Sequence, residues 1–207
     1  MMLLKVGKVT ISLIVINFVL FTLQIILGDW FTKLFSLTPA LAFNGAYWQF
    51  FTYMFMHGSI MHVALNMFVL MIFGIRIEET LGKMNFIILY ILAGLGSAGL
   101  YMLLTGFGST VLMLGASGAV FGVLTAYAFL YPKEIIWIFP GIPLPAILAI
   151  VLLAGFELFS GLFGLQAGIA NFGHLGGIIV GAIFMIIYKQ IGRHGSKEHD
   201  DIEFIWN

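Results

Sequence analysis

Long apolar runs separated by short polar breaks dominate the chain. Runs centred on residues 9–27, 50–75, 86–104, 115–131, 144–160 and 171–191 each reach the length of a membrane-crossing helix, for which about 17 to 25 apolar residues are needed. The start of the second run within 50–75 is not fixed by the pattern. Gly28-Asp29 ends the first run, and Arg76, Glu78, Glu79 and Lys83 separate the second from the third. Gly106-Phe107-Gly108 ends the third, and Pro132-Lys133-Glu134 with the proline-rich stretch 140–145 ends the fourth. Gly161, Gly164 and Gly168 loosen the link to the sixth. The pattern predicts an all-α, polytopic membrane protein of six transmembrane helices, with one helical domain over 1–192 and a polar cytoplasmic tail over 193–207. The tail's Phe204–Trp206 is positioned to touch the membrane surface.

Composition strengthens this reading. Hydrophobic residues make up 61% of the 207 and charged residues 9%, against about 25% charged in an ordinary soluble domain. A core of this size cannot hide so much apolar surface from water, so the surplus faces the lipid bilayer. The first apolar run follows Lys5 and Lys8 and is longer than a signal-peptide core, so it reads as a retained helix. Lys5, Lys8, Arg76, Lys83, Lys133, Lys189, Arg193 and Lys197 fall on one side of the six-span topology and only Lys33 on the other. The positive-inside rule therefore puts both termini in the cytoplasm, which fits a bacterial plasma membrane. There are no cysteines and the formal net charge is zero, so thiolate metal sites are excluded and no basic stretch points to nucleic acid.

Polar groups at membrane depth are costly and need a reason. In the predicted topology, spans two, four and six run from outside to inside, so their first turns share one depth. His62 and Asn66 lie in the first half of span two, Ser117 opens span four and His174 opens span six. Gly115 and Gly118 flank Ser117 with small residues. Gly173, Gly177 and Gly181 repeat every four residues beside His174, a pattern that lets helices approach closely in lipid. Packing on these faces would bring Ser117 within hydrogen-bonding reach of His174, as an activated serine nucleophile requires. His62 and Asn66, four apart on one face, could serve an oxyanion beside the Ser117 amide, and Phe121 could stack on the His174 ring. No acidic residue is placed to orient the histidine. Glu157, near the outer side of a late helix, is not assigned to the site, so a Ser–His dyad is expected.

Each feature alone has a plainer explanation. A membrane serine commonly bonds its own backbone, a glycine stripe is packing, and Asn66 is interhelical glue. Arg76, Glu78 and Glu79 read as a solvated cytoplasmic loop. The co-location of Ser117, His174, His62 and Asn66 is what a serine hydrolase needs and the separate explanations do not supply.

These residues resemble the rhomboid family of intramembrane serine proteases. Gly115-Ala116-Ser117-Gly118 is similar to its Gly-x-Ser-Gly motif. His57, His62 and Asn66 are similar to its His-x4-His-x3-Asn motif, and His174, Gly177 and Gly181 to its His-x2-Gly-x3-Gly motif. Glu78 with Gly82 is similar to its Glu-x3-Gly. The resemblance implies Ser117 as nucleophile, His174 as general base, His62 and Asn66 at the oxyanion hole, and His57 bracing the outer loop. It implies single-span membrane proteins, entering laterally from lipid, as substrates, with no metal and no cofactor. Segment 161–173 and the start of span five are the expected lid and gate. Two departures stand out: Trp48-Gln49 where the family often has Trp-Arg, and Phe121 where many members have tyrosine. A proteolytically silent client-binding relative, a histidine-based ion transporter and a histidine zinc site are the competing readings. Substrate identity and oligomeric state are not legible.

Overall fold

The computed structural model describes residues 7–138, 141–163 and 170–203. The expected gate falls partly outside these residues, at 164–169, as do Lys5, Pro140 and Phe204–Trp206. The long helices are α1 (Lys8–Leu27), α2 (Ile60–Leu81), α3 (Lys83–Thr105), α4 (Ser117–Leu130), α5 (Ala146–Phe163) and α6 (Ala170–Glu203). Five apolar stretches, in α1, α2, α3, α5 and residues Asn171–Ile191 of α6, are long enough to cross a membrane.

Burial is inverted relative to a water-soluble helix. On α1 the buried positions are Thr10, Asn17, Phe21 and Gln24, while Ile25 and Ile26 are 69% and 70% exposed. An apolar residue facing lipid loses nothing, whereas a polar one must find partners inside the bundle. The centre of the bundle is α4, packed between α3 and α6. It buries mainly small residues, among them Gly118, Ala119, Gly122 and Ala126.

Small residues let these backbones meet. A Cβ on Gly177 of α6 would overlap the Gly118 carbonyl of α4, and one on Gly181 would lie 2.8 Å from the Gly122 oxygen. On the other side of α6, a Cβ on Gly176 would lie 2.5 Å from the Gly96 oxygen of α3. The glycine faces predicted to join spans four and six are thus in contact, and a neighbouring one joins α6 to α3.

Several expectations are corrected. The fourth span is shorter than predicted: α4 has 14 residues, about 21 Å against a hydrocarbon core of about 30 Å. Residues 106–116 precede it as non-helical chain, tied to the outer loop by Leu37 pairing with Met113. The second helix begins only at Ile60, because Ser59 Oγ accepts the His62 amide as an N-cap, 3.1 Å. It then runs through a π turn at Leu70–Gly74 and past the charged residues to Leu81. It stops at Gly82, whose φ of +78° suits a residue without a side chain. The proline-rich break is a short hairpin, β1 (Ile135–Ile138) paired antiparallel with β2 (Ile142–Pro145).

Arg76, Glu78 and Glu79 lie on α2 rather than in a loop; Arg76 and Glu79 are exposed as expected, and Glu78 is not. Glu78 is 4% exposed, and its carboxylate caps the start of α1. Oε1 accepts the Val9 amide at 3.0 Å, and Oε2 accepts the Thr10 amide at 2.8 Å and hydroxyl at 2.9 Å. Arg76 bonds Glu134 twice, at 2.6 and 2.7 Å. The hydrogen bond from Tyr127, with Arg76 adding to it, holds the Glu134 carboxyl below the usual carboxylate range. The sequence hid these roles because the partners lie 51 to 69 residues away. Glu78→Ala strands two amides and a hydroxyl, and is expected to cost about 2 kcal/mol of stability. Hydrogen exchange at Val9 and Thr10 should accelerate, and thermal unfolding in detergent should drop. Unchanged protection at those amides would refute the cap.

Candidate active site

The start of α4 sets the depth of the site. If Leu130 lies at one edge of the hydrocarbon, a helix of about 21 Å leaves Ser117 roughly 9 Å inside the opposite edge. As the first helical residue, Ser117 also has a backbone N–H without an intrahelical acceptor. The chain turns into α4 at Gly115, whose φ is +122° and whose amide donates to the Tyr53 carbonyl at 3.0 Å.

His174 faces Ser117 from the first turn of α6. Its Nε2 lies 2.8 Å from Ser117 Oγ, 57 residues away in sequence. Phe121, one turn below Ser117, stacks on the His174 ring with centroids 4.7 Å apart and planes 23° from parallel. The change from tyrosine therefore keeps the stacking. The His174 side chain is 22% exposed, so the pair is half-buried and within reach of water.

A space above Gly115 adjoins the hydroxyl. The point a Gly115 Cβ would occupy is 2.9 Å from His62 Nε2 and 3.7 Å from Ser117 Oγ. Only glycine leaves that point open, and a ring N–H and the serine look into it from two sides. Asn66 is placed differently. It lies buried one turn along α2, and its amide nitrogen donates to the His62 carbonyl at 3.1 Å. One of its donors is thus engaged by its own helix.

His57 is 2% exposed, and its ring meets His62 edge-on, centroids 5.0 Å apart. Burial, with nearby His62 adding to it, pushes its imidazole down to about 4, so it is neutral at ordinary pH. Its backbone is clamped by Gln24 of α1, which accepts the His57 amide at 2.9 Å and donates to its carbonyl at 3.2 Å. Gln24 was not singled out from the sequence, although an amide inside an apolar helix is a signal in itself. Gln49 anchors the outer loop in place of an arginine. Its Oε1 accepts the Thr38 amide at 3.0 Å, and its Nε2 donates to the Leu34 carbonyl at 3.1 Å. Trp48 Nε1 bonds the same carbonyl at 2.9 Å.

The expectation that no acidic residue stands near the histidine is corrected. Glu157 Oε1 lies 3.1 Å from His174 Nδ1. Sequence placed Glu157 at the right depth but could not give the rotation of α5, which is apolar around its circumference apart from this residue and Ser160.

Comparison with known proteins identifies the family. Residues 44–191 match the Rhomboid domain family. The chain is 32% identical over 153 residues to the RHOMBOID-like protein 6, mitochondrial, of Arabidopsis thaliana, covering 73% of this chain and 47% of that protein. It is 29% identical over 169 residues to the rhomboid protease AarA of Providencia stuartii, covering 72% and 58%. It is 30% identical over 149 residues to the rhomboid protease GlpG of Haemophilus influenzae, covering 71% and 72%. The plant relatives are longer, and the match takes in about half their length or less. With the domain match spanning most of the chain and its apolar helices packed as a multi-pass membrane bundle, the protein belongs to the rhomboid family.

Proposed function

We propose that this chain is an intramembrane serine endopeptidase that cleaves transmembrane segments of other membrane proteins. The observation that carries the reading is the 2.8 Å approach of His174 Nε2 to Ser117 Oγ at the head of a helix too short to span. Family membership and relatives named as rhomboid proteases support it.

In this reading the helices cross the bilayer six times with both termini in the cytoplasm of a bacterial cell, and a substrate segment reaches the site sideways from lipid. His174 takes the Ser117 proton on Nε2 as Oγ bonds the substrate carbonyl carbon. The carbonyl oxygen, now negative, sits over Gly115, where the Ser117 amide and the His62 ring can stabilise it. Asn66 contributes there by turning its second N–H toward the oxygen or by holding the first turns of α2. His174 then gives its proton to the leaving amine, and water hydrolyses the acyl-enzyme. His57 braces the loop that carries His62. Segments that unwind easily, rich in Gly, Ala, Ser or Pro, are the preferred substrates, since a helical peptide bond is shielded.

A fluorophosphonate probe tests the nucleophile directly. Peptide mass spectrometry should find the adduct on Ser117 of the wild type, and His174→Ala should abolish it. A folded wild type that takes no label would favour a silent client-binding protein.

A further inference from the structure

Glu157 is a carboxylate on an apolar helix, only 8% exposed. A buried acidic group at membrane depth is costly and is retained where it has a partner or a task. Its nearest cation-capable partner is His174, with Oε1 3.1 Å from Nδ1. The other ring nitrogen is the one that faces Ser117, at 2.8 Å. Ring stacking on Phe121 limits the tilt of the imidazole. The two ring nitrogens therefore lie beside two oxygens of different kinds, a carboxylate and a hydroxyl.

That placement matters because a neutral imidazole carries one proton on one nitrogen. Nε2 can accept the serine proton only if the resident proton is on Nδ1. A carboxylate opposite Nδ1 selects that tautomer and stabilises the imidazolium formed when Nε2 is protonated. At rest the Nδ1–Oε1 pair is at hydrogen-bonding distance but off line, so Nδ1 has no aligned partner. Catalytic hydrogen bonds commonly straighten only once substrate is bound.

The neighbouring turn fits the same purpose. Ser160 lies one turn beyond Glu157 on α5, and Asn171 one turn before His174 on α6. Ser160 Oγ, Asn171 Nδ2 and Glu157 Oε2 are buried and have no hydrogen-bond partner among the described residues. Two unpartnered donors thus lie one turn from Glu157 and from His174 on their own helices.

We propose that Glu157 is a positioning residue that holds His174 in its Nδ1-protonated form, so that the site works as a Ser117–His174–Glu157 relay rather than a dyad. This rests on the protease reading. The proton taken from Ser117 Oγ stays on Nε2 until the leaving amine receives it. The Nδ1 proton never leaves the histidine.

The test compares wild type, Ser117→Ala, Glu157→Gln and Glu157→Asp in proteoliposomes with a single-span substrate. Glu157→Gln keeps size and polarity. It is expected to lower kcat by about 10²- to 10⁴-fold, leave KM within about twofold, and slow fluorophosphonate labelling of Ser117 in step. Glu157→Asp should restore at least about a tenth of wild-type kcat, since the charge returns at a longer reach. A merely structural contact would move KM and thermal unfolding and would not depend on charge. Nitrogen-15 spectra of labelled histidine, assigned by difference with His174→Ala, should show the Nδ1–H tautomer in wild type and a shift toward Nε2–H in Glu157→Gln. A kcat for Glu157→Gln within about threefold of wild type, with Ser117→Ala dead, would overturn the proposal and leave the protease reading intact. An inactive wild type would sink the protease reading, and the tautomer would still decide the role of Glu157.

Discussion

Replacing either Ser117 or His174 with alanine is expected to reduce cleavage of a reconstituted single-span substrate by at least about 10⁴-fold, to the assay background. The reason lies in the spacing of the pair. A serine hydroxyl is a weak nucleophile until a base accepts its proton, and the group within hydrogen-bonding reach of Ser117 Oγ is His174 Nε2, at 2.8 Å. Removing the hydroxyl removes the bond-forming atom, and removing the imidazole leaves it unactivated. Because the two act as a unit, the double variant should be no worse than either single one. Neither change touches the glycines that hold α6 against α4, and His174→Ala gives up only the stacking on Phe121 and the contact with Glu157. The variants should therefore unfold within a few degrees of wild type. Cleavage by Ser117→Ala at a tenth of the wild-type rate would rule out Ser117 as the nucleophile. Survival of only the His174→Ala activity would point to another base.

How much of this site was legible beforehand depended on which physical quantity each residue encoded. The shared layer was legible, because hydropathy and charge placement give the order and direction of the helices. That is why Ser117, His62 and His174 were placed in one layer. Helix–helix proximity was legible where glycine marked it: Gly118 and Gly122 do meet Gly177 and Gly181. Rotation about a helix axis was not legible on a helix as uniformly apolar as α5, so Glu157 was found at the right height and left off the site. Helix ends written in hydrogen bonds rather than in hydropathy were also missed. The fourth apolar run predicts a span over 115–131, and the helix is shorter at both ends, Ser117–Leu130. Glu78 looked like loop because its partners, Val9 and Thr10, lie 69 and 68 residues earlier in the sequence. The Gln49 anchor illustrates the same limit. A missing arginine could be noticed, but the carbonyl and amide that replaced its partners could only be seen in three dimensions.

The glycine contacts carry the second large effect. Gly177→Ala is expected to reduce cleavage by about 100-fold or more, although it adds a single methyl group far from the reacting atoms. A Cβ at Gly177 would overlap the carbonyl of Gly118, and that carbonyl belongs to the residue next to Ser117. Backbone cannot rotate aside as a side chain can, so α6 must move away from α4. His174 is three residues earlier on α6, and its ring moves with the helix. A misplacement of about 1 Å between reacting groups costs about 10²-fold in rate, and overpacking of this kind costs about 1 to 3 kcal/mol of stability. Gly99 on α3 provides the contrast, because a Cβ there meets nothing within 4 Å. Gly99→Ala should leave cleavage unchanged and raise stability by about 0.5 to 1 kcal/mol, as alanine favours the helix. The two variants differ from wild type by the same methyl group, so comparing them separates helix approach from helix propensity. If Gly177→Ala cleaves as well as Gly99→Ala, the Ser117–His174 distance is not set by the glycine contact between α4 and α6. If both lose activity together, the loss comes from general intolerance of α3 and α6 to substitution.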